Sequence, residues 1–142
     1  MKTLFFFISI LSLAASVNGQ SDSWKIYFNK KLLLNTKEES ESKNVVKIKL
    51  ADLKKAGQLS IMFVDAIPNK DWRRTIAIFD EKDSTLYEQT GVNGVRIANS
   101  RIKKMSAGKT RIKIYTWSLP RDPNKAALVR IRRVHLCTLE LE

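Results

Sequence analysis

The sequence predicts an all-β fold, an antiparallel β-sandwich of about eight strands with two short helical connections. Apolar residues alternate with polar ones over several short segments, such as 24–28, 46–50 and 110–117, which is the period of a half-buried strand. Turn signals rich in Asn, Asp, Gly and Pro separate these segments at short intervals. This pattern favours a sandwich of immunoglobulin-like or jelly-roll type, and a small β-barrel is the alternative.

The predicted strands are short and follow one another along residues 20–142. They are expected over 24–28, 32–34, 46–50, 59–64, 75–79, 86–89, 110–117 and 129–142. Residues 35–44 contain no apolar side chain to bury and are predicted to form a solvated loop. Asn93-Gly94 is the pair that a two-residue hairpin turn prefers, because both of its central residues need positive φ.

Two short helical connections are predicted over 51–56 and 100–107, since each segment is followed by a glycine stop. We expect them to cross between the two sheets or to plug an open end of the sandwich. Segments 48–68 and 97–120 also share the order of an isoleucine, a Lys-Lys pair, an Ala-Gly pair and a proline. The spacing from Ile to Lys-Lys is identical in both, and the spacing from Gly to Pro differs by one residue. This similarity predicts two related halves, with chance similarity in a lysine-rich chain as the alternative.

The first 19 residues have the pattern of a signal peptide. Lys2 precedes an apolar run, Leu4 to Ala15, which is too short to span a bilayer and typical of a signal-peptide core. Small residues favour cleavage after Gly19, with cleavage after Ser16 as the alternative. We therefore predict a protein exported to a bacterial periplasm or secreted, with residues 20–142 as one domain and without an integral membrane segment in the mature chain.

The composition is strongly basic. The formal net charge is +12, which favours contact with anionic surfaces such as acidic glycans, lipopolysaccharide, phospholipid headgroups or nucleic acid. The alternative is that the charge only maintains solubility. One cysteine cannot form an internal disulfide, so stability is expected to come from core packing.

The residue types and their spacing in the sequence do not indicate a catalytic or metal site. His135 is the only histidine and Cys137 the only cysteine, whereas zinc needs three or four ligands at defined spacings. We expect no cofactor and no metal, and a structural role for both residues. The acidic residues fall mostly in turn-like segments, where carboxylates normally serve the turn itself. A small glycan-active enzyme is therefore an unfavoured alternative.

A basic and aromatic strand face is the positive signal for binding. The candidate residues for an anionic ligand are Lys109, Arg111, Lys113, Tyr115 and Trp117 on one strand, and Arg130, Arg132 and Arg133 on the last one. If the two strands are neighbours, like charges are expected to oppose each other, and a bound anion would relieve that cost. The alternative is a solvated row that guards a sheet edge while the aromatic rings lie under a loop.

Two further aromatic and apolar features leave alternatives open. Trp72 is predicted either as a surface platform for a ligand or as a residue that packs under the 68–71 turn. In the final stretch, 129–142, the apolar positions change parity. This predicts a bulge near Arg132-Arg133 and a second one near Cys137-Thr138, or else a strand buried on both faces.

These features predict an exported, non-catalytic β-sandwich binding module that contacts anionic cell-envelope or extracellular polymers. The alternative from another class is a protein-interaction subunit of an envelope or secretion complex. Salt dependence separates the two, because charge contacts with a polyanion are screened by ions.

Overall fold

The structure is a computed structural model that describes residues 20–142. The predicted signal peptide, residues 1–19, lies outside the described residues and stays a prediction. Within 20–142, no helix combines the length and the apolar composition needed to cross a membrane.

The described chain consists mostly of strands joined by short connections. Its elements are β1 (Ser23–Phe28), β2 (Lys31–Thr36), β3 (Val45–Ile48), a 3-10 helix (Asp52–Lys54), β4 (Gln58–Val64), β5 (Trp72–Phe79), β6 (Thr85–Thr90), β7 (Gly94–Ala98), α1 (Asn99–Met105), β8 (Arg111–Pro120), α2 (Pro123–Ala126) and β9 (Val134–Leu141). Nine strands replace the eight or so that were predicted.

The strands form two sheets, and this confirms the predicted β-sandwich. One sheet has the order β2-β1-β4-β7 and the other the order β3-β9-β8-β5-β6. Neighbouring strands are antiparallel except for β3 and β9, which are parallel. The barrel alternative is wrong, because the two sheets stay separate and neither closes on itself.

Both helical connections cross from one sheet to the other, as predicted. The 3-10 helix leads from β3 in the five-stranded sheet to β4, and α1 leads in the opposite sense from β7 to β8. The side-chain nitrogen of Asn99 joins them by donating to the carbonyl oxygen of Lys55 at 3.1 Å and to Asn29 Oδ1 at 2.9 Å. Gly57 leaves room for this junction, since a Cβ there would lie 1.9 Å from Asn29 Oδ1.

The core lies between the sheets and consists of apolar side chains from both inner faces. Its fully buried members include Ile26, Ile48, Leu59, Ile61, Ile76, Ile78, Ile97, Ile112, Ile114 and Leu136. Trp24 spans the two layers, because its ring stacks on Phe63 within its own sheet and its Nε1 donates to the carbonyl oxygen of Leu136 at 2.9 Å. A single shared core holds both sheets.

The predicted Asn93-Gly94 hairpin is wrong. β6 pairs with β5 and β7 pairs with β4, so the connection between β6 and β7 passes from one sheet to the other. Asn93 is used elsewhere: its side chain donates to Asp65 at 3.1 Å, and its carbonyl oxygen accepts from the backbone nitrogen of Phe63 at 2.7 Å. These contacts outweigh the local turn preference.

The last strand is shorter than predicted and is buried on both faces. β9 begins at Val134, and residues 129–133 have no strand conformation, so the expected bulge at Arg132-Arg133 is wrong. A register shift against β8 leaves Leu136 without an opposite residue, next to the second expected irregularity. It places His135 opposite Tyr115 and Cys137 opposite Ile114, and thus on opposite faces of the sheet.

Candidate functional site

The predicted binding residues of β8 lie on the outer face of the five-stranded sheet. Arg111, Lys113, Tyr115 and Trp117 alternate with buried inner-face residues, which confirms their shared face. Lys109 lies in the turn before the strand. The prediction that Arg130, Arg132 and Arg133 lie on the last strand is wrong, because all three precede β9. The sequence predicted a strand over these residues because the segment contains the β-branched residues Val129 and Ile131, which are typical of strands.

The expected opposition of like charges between β8 and β9 is wrong. Arg111 faces Glu140 and pairs with it, and Lys113 faces Thr138. Arg132 pairs with Glu39 at 2.6 Å, and Arg133 with Asp83 at 3.0 Å. Carboxylates of the protein itself therefore compensate three of the six cations of the predicted basic face. The other three take part in none of the salt bridges among residues 20–142: Lys109, Lys113 and Arg130.

Aromatic packing holds the middle of this outer face. Phe79 contacts both Tyr115 and Trp117, with ring centroids 5.7 and 6.3 Å apart. The guanidinium of Arg133 lies 4.8 Å from the ring centroid of Phe79 and 5.1 Å from that of Tyr115. Arg133 thus covers the aromatic cluster by cation–π contact, which supports a structural role for this arginine.

His135 and Cys137 are buried and do not form a catalytic pair. His135 Nε2 lies 2.9 Å from Thr138 Oγ1, and its Nδ1 makes no hydrogen bond to the described residues. Burial raises the pKa of the Cys137 thiol to about 12, so the thiol stays protonated. Among residues 20–142, His, Cys, Asp and Glu side chains form no group of three that could hold a metal ion.

Stability is expected to fall below about pH 6.5 through His135. Burial lowers the pKa of His135 from its ordinary value of 6.5, and Lys113 adds to this while Glu41 opposes it. The unfolded chain therefore binds a proton at a pH where the folded chain does not, so stability is kept above pH 6.5 and lost as the pH falls towards the folded pKa.

Urea unfolding between pH 7.5 and 5.5 measures this dependence. We expect H135Q to flatten the curve in that interval, because Gln can still reach Thr138 but does not titrate. An equally steep loss of stability in H135Q would show that other groups cause it.

Two clefts lie at the end of the sandwich opposite α1. One cleft of about 570 Å³ is lined by Asp65, Ile67, Pro68, Asn69, Lys70, Trp72, Arg73, Arg74, Gly91, Asn93, Ser118 and Arg121. A second cleft of about 490 Å³ is lined by Asn69, Asp71, Trp72, Pro120, Arg121, Asp122, Lys125 and Val129. The two share three residues, and we call them the basic cleft and the mixed cleft.

A largely buried ion pair lines the basic cleft. The side chain of Arg74 is only 10% exposed and pairs with Asp65. The same guanidinium donates to Thr116 Oγ1 at 3.1 Å and lies 3.7 Å from the ring centroid of Phe63. Its Nε makes no hydrogen bond within the described chain. An ion pair, a hydrogen bond and an aromatic contact therefore hold the Arg74 guanidinium in place.

Three further cations line the basic cleft without a carboxylate partner among residues 20–142. Lys70, Arg73 and Arg121 take part in none of the described salt bridges. The Nε of Arg121 donates to the carbonyl oxygen of Lys70 at 2.8 Å, which fixes the direction of the guanidinium. Four cations against Asp65 make this cleft electropositive.

Trp72 stands where the two clefts meet, and 37% of its surface is exposed. Of the two alternatives for this residue, the structure therefore leaves the ring accessible rather than packed away. The sequence predicted a possible surface platform at Trp72, beside two arginines, but it did not predict the cleft. The connections at 65–71 and 91–93 and the end of β8 with the residues after it, 118–122, meet only in the folded chain, and no local pattern indicates that they do.

Comparisons of the chain with protein-family models, with curated proteins and with solved structures give no match. The function is therefore argued from the charge, shape and chemistry of the site. A cleft of several hundred Å³ has the size of a ligand site, and the mainly charged and polar lining of the basic cleft suits a polar, anionic ligand.

Proposed function

We propose that the protein is an exported, non-catalytic binding module for an anionic polymer of the cell envelope or the extracellular space. The observation that carries this proposal is the basic cleft, where Lys70, Arg73 and Arg121 lie beside the buried Arg74. Cations that lack a protein carboxylate as partner bind an anion without first breaking an internal ion pair. The strongly basic composition adds a long-range attraction of the same sign.

The outer face of β8 extends this site. Lys113, Tyr115 and Trp117 occupy alternate positions on the strand, and Arg121, which lines both clefts, follows at the same parity just beyond the strand end. A polymer bound in the cleft can continue along this face. In this proposal the cleft provides the main contacts and the predicted strand-face residues secondary ones.

Retention on heparin-agarose tests the proposal. We expect the protein to be retained at about 0.15 M NaCl and released at higher salt, because ions screen contacts with anionic groups. The variant K70E/R73E/R121E is expected to bind heparin at least about tenfold more weakly, since three charge contacts are lost and reversed.

Two variants with the same change in net charge are the controls. K54E/K103E/K104E changes exposed lysines at the opposite end of the sandwich, and K109E/K113E/R130E changes the predicted strand-face set. We expect a small loss in the first and an intermediate loss in the second. Equal losses in all three variants would mean that binding depends on net charge alone, and the proposed site would be wrong.

A second candidate function is that of a protein-interaction subunit. Leu128 is 88% exposed and Ile131 is also exposed, and both lie in the segment between α2 and β9 that has no regular structure. Exposed apolar side chains of this kind mark a protein contact when they gather into a patch. A partner captured equally well at low and high salt, and lost in L128D/I131D, would favour this function over polyanion binding.

A further inference from the structure

We infer that the two clefts together bind an acidic oligosaccharide in which charged and neutral sugar rings alternate. This inference rests on the proposed function and names the ligand class of the same site. In the bound state a ring carrying a carboxylate or sulfate lies in the basic cleft, a neutral hydroxyl-rich ring lies in the mixed cleft, and Trp72 contacts the sugar between them.

The basic cleft fits a charged sugar ring. Its cations bind the acidic group, and the fixed guanidinium of Arg121 presents donors suited to a carboxylate or sulfate. Asn69, Asn93 and Ser118 line the same space. Asn93 Nδ2 donates to Asp65 and Asn69 Oδ1 accepts from the backbone nitrogen of Asp71, and the other polar atoms of these side chains match the hydroxyls of a sugar, which both donate and accept. Phosphate oxygens only accept hydrogen bonds, so a bare phosphate chain matches fewer of these atoms.

The mixed cleft fits a neutral ring. Arg121 and Lys125 are balanced there by Asp71 and Asp122, so a second acidic group in this position meets two carboxylates as well as two cations. Asp122 is committed to capping α2, since its Oδ1 accepts from the backbone nitrogen of Asn124 at 2.9 Å. The Asp71 carboxylate remains as an acceptor for sugar hydroxyls. A uniformly charged polymer is therefore a poorer match than an alternating one.

Trp72 supplies the apolar contact that a sugar ring needs. Its exposed ring lies at the junction of the clefts, and it is the only aromatic side chain that lines either of them within residues 20–142. Proteins that bind single-stranded nucleic acid stack successive bases on several aromatic rings along a basic groove. One ring between a basic and a balanced cleft favours a saccharide over a nucleic acid.

Calorimetric titration of the purified protein at about 0.15 M salt tests this inference with four probes. They are a hyaluronan oligosaccharide, with one carboxylate for every two rings, an alginate oligosaccharide matched in carboxylate number, a polyphosphate of equal charge, and oligo-dT. We expect the hyaluronan oligosaccharide to bind about tenfold more tightly than the alginate or the polyphosphate. W72A should weaken hyaluronan binding about tenfold, as expected for loss of one stacked ring, and change polyphosphate binding less than about twofold.

A second variant tests the mixed cleft separately. D71N removes the negative charge that faces the second ring but keeps a carbonyl oxygen as acceptor. We therefore expect it to improve alginate binding and to weaken hyaluronan binding about twofold, because a neutral acceptor binds a sugar hydroxyl less strongly than a carboxylate does. Equal binding of hyaluronan and polyphosphate with no effect of W72A would overturn the inference while the proposed function stands, and so would tighter binding of alginate or oligo-dT. Absence of binding to every probe and to heparin would overturn the proposed function itself.

Discussion

Replacing Asp65 with Ala is expected to lower the free energy of unfolding by about 3 kcal/mol, because it leaves the buried Arg74 guanidinium without its counter-charge. Arg74 cannot escape into water easily, since its side chain is only 10% exposed and packs on Phe63. Its remaining partner is the hydroxyl of Thr116. D65A also frees the side chain of Asn93, which donates to Asp65. Chemical denaturation at pH 7 measures the loss.

The matched control removes a carboxylate from an ion pair that water reaches. Arg111 and Glu140 form a pair between neighbouring strands, and the Arg111 side chain is largely exposed. E140A is therefore expected to cost less than about 1 kcal/mol, the usual range for a surface pair. Similar losses in D65A and E140A would mean that the Arg74–Asp65 pair is well solvated, contrary to its burial.

The sequence predicted the fold class because alternation of apolar residues survives in most strands. β1, β4 and the first part of β8, up to Thr116, bury every second residue, and that pattern is visible in the chain. The glycine-terminated helical connections were also visible, and their crossing between sheets follows from the need to cover both ends of a sandwich. Parity alone therefore fixed which face of β8 carries Arg111, Lys113 and Tyr115.

Details that depend on partners distant in the chain were not predictable. β9 is buried on both faces, which hides its alternation and obscured its true start at Val134. Asn93 and Gly94 have the composition of a hairpin, yet Asp65, almost thirty residues away, binds the Asn93 side chain. The carboxylates that pair with Arg132 and Arg133 come from Glu39 and Asp83. The position of a basic residue is known from the sequence, but the acidic residue that pairs with it in the fold is not.

The pairing of cations with distant carboxylates explains why the sequence and the structure favour different candidate sites. The sequence favours the outer face of β8, and the structure favours the clefts at the end of the sandwich. Several cations of the strand face meet a carboxylate from another part of the chain, whereas Lys70, Arg73 and Arg121 do not among the described residues. Free cations in a concave surface keep their capacity to bind an external anion. Trp72 and the adjacent arginines indicated a possible binding position in the sequence. The cleft itself forms only when segments distant in the chain come together in the fold.

Replacing Trp24 with Ala is expected to lower the free energy of unfolding by about 4 kcal/mol, the range for removal of a buried tryptophan. The ring fills the space between the sheets and stacks on Phe63 at a centroid distance of 6.0 Å. It also satisfies the carbonyl oxygen of Leu136, the residue that the register shift leaves without an opposite partner on β8. Trp24 thus compensates from one sheet for an irregularity in the other.

W24F separates the two contributions of this side chain. Phe keeps most of the apolar burial but cannot donate a hydrogen bond, so the Leu136 carbonyl is left unsatisfied at a cost of about 1–3 kcal/mol. W72A is the control for loss of a tryptophan at the surface, with an expected change of about 1 kcal/mol or less. If W24F unfolds at the same denaturant concentration as the unsubstituted protein, the hydrogen bond contributes nothing. In that case packing alone makes Trp24 the link between the sheets.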